Sequence, residues 1–227
     1  GRAIELVQRR TYQEVTGLLL EGSVDAAWLC GFPFLQHEES LALLGVPVWR
    51  GAPLYQSYLI EQPEDPATGL NDLRGGTHAF SDPDSNSGWL VTTSDIVRMG
   101  ARPEEFFART LFAYGHRNVA RSVAGGLTRS GSIDGYVWEA LAQVEPELTA
   151  RTKVIGQSEK LGFPPFVTRK DRVGSQTFER LHQALLDLEA SPEGQRALHL
   201  LQLDRIAQGD IQLFDGIRAR MRDVQGR

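Results

Sequence analysis

Residues 75–100 limit the possible folds of this chain more than any other stretch. Gly75-Gly76 marks a turn, Thr77-His78-Ala79-Phe80-Ser81 follows as a short strand, and Asp82-Pro83-Asp84-Ser85-Asn86-Ser87-Gly88-Trp89 is a hydroxyl-rich loop. Leu90 to Met99 then has helix-compatible composition and stops at Gly100, a suitable C′ residue. Strand, polar turn and helix in that order leave backbone N–H groups unpaired at the positive end of the helix dipole. An anion fits there, with Ser85, Asn86 and Ser87 as extra donors. The same residues also fit a plain N-cap, in which Ser85 or Ser87 satisfies the first turn.

The 227 residues suffice for one large core or two smaller lobes. Hydrophobic residues make up 41% and charged residues 23%, as in soluble globular proteins. The net charge is −5 with Lys and Arg scattered, so the sequence carries no nucleic-acid footprint. An anion must then be held by a local site. Cys30 is the single cysteine, which excludes an internal disulfide and a multi-cysteine metal site. No apolar run approaches membrane-span length, and no signal peptide is recognised.

The rest of the chain alternates strand and helix. Ile4 to Val7 is expected as a strand. Thr11 with Glu14 forms a capping box for a helix carrying Val15, Leu18 and Leu19, ended by Gly22. Val24 to Leu29 is expected as a short buried strand and Gly31-Phe32-Pro33-Phe34 as a turn. Val46 to Trp49 and Tyr55 to Ile60 are expected strands. Pro103-Glu104-Glu105 starts a helix with proline at N1, carrying Phe106 and Phe107. Gly115-His116 opens another, Gly131 to Trp138 runs from strand into helix, and Lys153 to Ser158 is a strand. Gly162 to Thr168 is a loop feeding a strand, and helices follow from Ser175 to Leu188 and from Ser191 to Leu203. This alternation predicts an α/β architecture with largely parallel sheets.

The motif order resembles the periplasmic phosphonate- and phosphite-binding proteins of ABC importers, the PhnD-like family. The matching residues are Thr11-Tyr12 with Glu14-Val15, Gly22 to Trp28, Phe80 to Pro83 with Ser85 to Gly88, and Gly115-His116. Ile133 to Trp138, Ser158 with Pro164-Pro165, and Pro192-Glu193-Gly194 with Leu198, Leu201 and Asp204 continue the series. The resemblance implies a two-lobed type II periplasmic binding protein fold, with residues 1–60 and 160–227 as lobe one and 61–159 as an inserted lobe two. Leu59 to Pro63 and Gln157 to Pro165 would form the hinge. Members of the family carry a further strand and helix ahead of the stretch equivalent to Ile4 to Val7. The resemblance therefore implies an N-terminally truncated lobe one that has lost part of its ligand site.

What the resemblance implies for function is a solute-binding protein that captures a small phosphorus oxyanion (phosphonate, phosphite or phosphate). Its partners would be that ligand and the membrane subunits of an ABC transporter, in a periplasmic or extracytoplasmic setting. A monomer is expected, with no cofactor. The alternative is an extracytoplasmic ligand-sensing domain of a signalling protein built on the same fold. In lobe two, Ser85, Asn86, Ser87 and the N–H groups of Ser87 and Gly88 would hold the oxyanion. His116, either a helix cap or a ligand contact, has a charge expected to follow pH near neutrality. Asp134 either accepts a hydrogen bond from a protonated oxygen or only caps its helix, and Tyr136 shares that ambiguity. Trp28, Phe32 and Phe34, with Tyr12 nearby, form either an aromatic wall of lobe one or part of its core. No acid pair stands where an ammonium group would need one, which favours a small anion without an amine.

An enzyme is not expected. Cys30 and His116 lack a third group to orient them as nucleophile and base. His37 and His78 lack metal-ligand spacing, and Asp65, Asp72, Asp82 and Asp84 lack a calcium-loop pattern.

Overall fold

The computed structural model describes residues 4–226. Its strands, in chain order, are β1 (Ala27–Trp28), β2 (Leu41–Val48), β3 (Leu54–Tyr55), β4 (Ser57–Glu61), β5 (Thr77–Phe80), β6 (Arg109–Phe112), β7 (Ser130–Asp134), β8 (Lys153–Gln157), β9 (Leu161–Gly162), β10 (Phe166–Arg169) and β11 (Arg205–Ala207). The helices are α1 (Tyr12–Leu20), α2 (Gly31–Gln36), α3 (Val91–Arg98), α4 (Pro103–Phe106), α5 (His116–Ala124), α6 (Gly135–Val144), α7 (Pro146–Thr149), α8 (Gln176–Leu186), α9 (Pro192–Leu201) and α10 (Asp215–Gln225). Among the described residues, no helix is long and apolar enough to cross a membrane.

Two sheets organise the chain. A four-stranded sheet has the order β1-β10-β2-β11, with every pair antiparallel. A five-stranded sheet has the order β6-β5-β7-β4-β8. Here parallel pairing is confined to β5 with β6 and β7, while β4 runs antiparallel to β7 and β8. The expectation of largely parallel sheets is therefore corrected. Parallel neighbours need a crossover, and in this sheet the crossovers are α3 with α4, and α5. The remaining strands are the ones that connect to the other body, β4 entering from β3 and β8 leaving toward β9, and they pair antiparallel.

The two bodies are joined by the two-stranded ribbon of β3 and β9, where Leu54 pairs with Gly162 and Tyr55 with Leu161. Leu59 to Pro63, expected in the hinge, instead includes the end of β4 inside the five-stranded sheet. The side-chain alternation of β4 explains its place. Tyr58 and Ile60 join a core with Val119, Ala120, Val123 and Leu141 on one face, and Leu59 packs with Phe80, Ile96 and Phe106 on the other. A separate core with Leu29, Phe34, Val46, Phe163 and Phe214 lies around the four-stranded sheet.

Several local expectations hold. Thr11 and Glu14 form both arms of the capping box, and Ser175 and Ser191 cap α8 and α9. Gly100 follows α3 with φ +71°. Others do not. Ile4 to Val7 pair with no neighbour among the described residues, and Ile4 and Leu6 are 86% and 81% exposed. An extended segment becomes a strand only by pairing. Gly31 to Gln36 is a helix rather than a turn; Pro33 is tolerated because it falls in the first turn, where its missing N–H has no helical partner to lose. The expected strand from Val24 to Leu29 shrinks to Ala27–Trp28, and Phe107 lies beyond the four-residue helix α4.

Candidate functional site

β5 ends in the middle of its sheet and delivers the chain into the polar turn. The Asp82 carboxylate accepts the Asp84 N–H at 2.8 Å, and the Asp82 carbonyl accepts the Ser85 N–H at 3.0 Å, which folds the turn back on itself. Ser85 Oγ accepts the Gly88 N–H at 2.9 Å. The Leu90 N–H reaches back five residues to the Ser85 carbonyl at 3.0 Å, so 86–90 winds wider than an α-turn before α3 begins. A Cβ on Gly88 would stand 1.8 Å from Ser81 Oγ, so only glycine fits. Ser57 Oγ, from β4, donates to the Ser87 carbonyl at 2.6 Å and pins the turn to the sheet. Ser85, Asn86 and Ser87 are at most 1% exposed.

This geometry assigns the donors individually. Ser85 is the N-cap, and the Gly88 N–H expected to face an anion is taken by Ser85 Oγ. The Asn86 N–H points to Cys30 Sγ at 3.2 Å, and Asn86 Nδ2 donates to the Tyr55 hydroxyl at 2.8 Å. Asn86 Oδ1 is buried without a partner. The turn thus faces Cys30 and Tyr55, from the end of β1 and from the connecting ribbon.

Tyr12 completes that wall, its N–H lying 3.4 Å from the second Asp82 oxygen. Burial and the charges of nearby acids push the hydroxyls of Tyr12 and Tyr55 well above the usual range, and burial pushes the Cys30 thiol up to about 12. Cys30 is therefore a neutral thiol, unsuited to nucleophilic attack at neutral pH. Asp134, at the end of β7 and paired with Ser57 in the sheet, has Oδ1 accepting the Val137 N–H at 3.2 Å as the cap of α6. Burial raises its pKa to about 7. Its own N–H donates to His116 Nδ1 at 3.1 Å. That bond makes Nδ1 an acceptor and leaves Nε2 to carry the proton. Burial lowers the His116 pKa to about 4, so the expected charge switch near neutrality does not occur.

The remaining expected residues lie farther out. Trp28 donates its indole N–H to the Pro164 carbonyl at 2.9 Å and stacks on Phe166 at 5.1 Å. Phe32 stacks on Trp89, beyond the polar turn, at 6.0 Å. Tyr136 donates to the Leu201 carbonyl at 2.6 Å and meets Trp49 and Phe163 edge-on, bridging the two bodies. Phe34 is in the core against Phe214. A pocket of about 350 Å³ lies beside the start of the turn, lined by Arg10, Thr11, Gln13, Asp82, Pro83 and Tyr114. Sequence reasoning missed Tyr55 and the inward role of Cys30; neither carries a local motif, and only the crossing of the chain through β3 brings them to Asn86.

Residues 1–214 match the sequence model of a family described as the ABC transporter, phosphonate, periplasmic substrate-binding protein. The chain is 28% identical over 194 residues to the phosphate-import protein PhnD of Mycolicibacterium smegmatis, covering 80% of this chain and 60% of that protein. It is 29% identical over 155 residues to the phosphonates-binding periplasmic protein of Escherichia coli, covering 66% of this chain and 45% of that protein. It therefore spans less than two thirds of either relative. Among solved structures, a binding protein component of an ABC phosphonate transporter from Pseudomonas aeruginosa superposes with a TM-score of 0.85 at 24% identity, over 94% of this chain and 73% of that one. The fold is thus the two-lobed one of type II periplasmic binding proteins.

Proposed function

The chain belongs to the family of periplasmic substrate-binding proteins of phosphonate ABC transporters, and from that premise we propose that it captures a small phosphorus oxyanion for such an importer. In this reading it is a periplasmic binding protein and not an enzyme. The observation that carries it is the buried turn from Ser85 to Leu90, fixed by Ser57 and bonded to Tyr55, with Asp134 and its partner His116 beside it because Asp134 pairs with Ser57 in the sheet. A phosphonate, phosphite or phosphate group offers several acceptor oxygens and calls for convergent donors. Ser87, the Tyr12 and Tyr55 hydroxyls and the Nε2–H of His116 supply them. Asn86 and Cys30 shape the wall. Trp28, Phe32 and Tyr136 support the lobes around it.

In this reading lobe one, expected over residues 1–60 and 160–227, is built on the four-stranded sheet, and lobe two, expected over 61–159, on the five-stranded sheet, to which Ser57 to Ile60 also belong. The β3 and β9 ribbon serves as the hinge. The test is calorimetry with phosphate, phosphite, methylphosphonate, aminoethylphosphonate and sulfate. Binding of at least one phosphorus oxyanion, weakened on replacing Ser87, is the expected result. A folded protein that binds none of them overturns the reading.

A further inference from the structure

Two connectors lead between the ribbon and the five-stranded sheet: Gln56, from β3 into β4, and Ser158 to Lys160, from β8 into β9. β4 and β8 pair as far as Tyr58 with Gln157. At the next rung, Ser57 and Ser158 should exchange both backbone bonds of an antiparallel pair. Only one of them forms, the Ser158 N–H donating to the Ser57 carbonyl at 3.0 Å. The Ser158 carbonyl is turned aside to Gln56 Nε2. The Ser158 hydroxyl stands in for it, accepting the Ser57 N–H at 2.9 Å while donating to the Glu159 carbonyl at 2.7 Å.

Ser57 is 4% exposed, so without that hydroxyl its N–H is left buried and unpaired. Its side chain in turn holds the polar turn, Ser57 Oγ donating to the Ser87 carbonyl at 2.6 Å. Glu159, next along the return connector, pairs with Arg220, which bonds the Val91 carbonyl and Asp95 of α3. The turn and its helix are therefore tied to the same connector at two points, Ser87 through Ser57 and Ser158, and α3 through Arg220 and Glu159. Resting on the reading of the turn as an oxyanion site and of the ribbon as the hinge, we propose that Ser158 is a positioning residue, which sets the Ser87 carbonyl through Ser57 and so couples oxyanion binding to the hinge connectors. Ser158 itself touches no ligand. Loss of its hydroxyl releases the end of β4, and the Ser87 donor is then no longer held in place before ligand arrives.

The experiment is calorimetry with phosphate, phosphite, methylphosphonate and aminoethylphosphonate, alongside urea unfolding without ligand. It compares wild type with Ser158→Ala, Ser158→Thr, Ser57→Ala and the Ser57→Ala/Ser158→Ala double variant. Ser158→Ala weakens binding about tenfold, the equivalent of one well-placed hydrogen bond. Ser158→Thr keeps the hydroxyl and stays within about threefold of wild type. In the double variant the affinity matches that of Ser57→Ala alone, because Ser158 acts only through the Ser57 hydroxyl. The unfolding loss caused by Ser158→Ala persists in that background, since the Ser57 N–H is still orphaned; a merely structural serine would move both quantities together. Affinity of Ser158→Ala within about twofold of wild type, a folded Ser158→Thr that does not recover, or affinity losses that multiply in the double variant each overturn the proposal and leave oxyanion capture intact. Failure of every one of these oxyanions to bind the wild type instead overturns the functional reading, and this inference with it. Should Ser158→Ala fail to fold, Ser158→Cys takes its place, since a thiol keeps the shape but accepts weakly, and the same outcomes decide.

Discussion

Ser87 is the residue in the polar turn on which binding should depend most directly. Its neighbours are committed, Ser85 to the Gly88 N–H and Asn86 to Cys30 and Tyr55. Ser87→Ala should weaken oxyanion binding by about 1–3 kcal/mol, the usual loss for a hydrogen bond to a charged group; calorimetry showing unchanged affinity would remove Ser87 from the site. Asp134 makes a separate prediction about stability without ligand. Its folded pKa, about 7, is raised above the ordinary carboxylate value, so its contribution is fully present below about pH 4 and is lost as pH rises through 7. Asp134→Asn lacks that dependence. Relative to wild type it should gain up to about 1.4 kcal/mol per pH unit across that window, which urea titrations at pH 4.5, 6 and 7.5 would reveal. A constant difference between the two proteins would mean that Asp134 is solvated like a surface acid. At this scale the sequence was informative where chemistry is local. Ser85, Asn86 and Gly88 announce a turn within eight residues, whereas Tyr55 and Cys30 reach Asn86 only through the fold.

Among the elements, α10 holds the helix that extends the polar turn. Arg220, 2% exposed, donates to the Val91 carbonyl at 3.0 Å, to Asp95 at 2.7 Å and to Glu159 at 2.9 Å. Ser94 and Arg98 both donate to Asp223 one turn further on, each at 2.7 Å. One arginine thus ties α10 to α3 and to the segment entering β9. Arg220→Ala should cost about 2–4 kcal/mol of unfolding free energy. That estimate is kept below the full cost of orphaning a buried ion pair because Asp95 and Glu159 remain partly in water. Arg220→Lys should recover less than half, since an ammonium cannot reproduce the forked contacts. Chemical denaturation showing a loss under 1 kcal/mol for the alanine variant would demote this clamp to surface packing. Neither α10 nor β6 was legible in the sequence. α10 carries many charged residues whose stems lie against other helices, and β6 begins with the exposed pair Arg109 and Thr110. Capped helices such as α1, α8 and α9 were legible because their start signals lie within four residues.

The molecule as a whole is clasped by contacts between the two bodies. Arg50 reaches Glu139 at 3.0 Å, beside the Tyr58 hydroxyl that donates to the same carboxylate at 3.1 Å. Tyr136 donates to Leu201, Cys30 receives the Asn86 N–H, and Trp89 stacks on Phe32. A two-lobed fold was foreseeable from the order of motifs, but these bridging pairs were not, because each joins residues tens of positions apart. Ligand shifts the balance toward a closed arrangement only by contacting it better than an open one. Contacts that hold the lobes together without touching ligand should then raise apparent affinity by raising the competent fraction. Glu139→Ala removes the Arg50 pair and the Tyr58 bond. Arg50 is largely in water, so the penalty is modest, about 1 kcal/mol or roughly fivefold in affinity. Tryptophan emission should report the same motion. Trp89 and Trp49 face partners on the other body, whereas Trp28 is fixed to Pro164 and Phe166 at its own sheet. Oxyanion addition should therefore change emission in wild type and in Trp28→Phe, and the change should shrink in Trp89→Phe. A signal lost in Trp28→Phe but kept in Trp89→Phe would mean that ligand rearranges lobe one without closing the lobes.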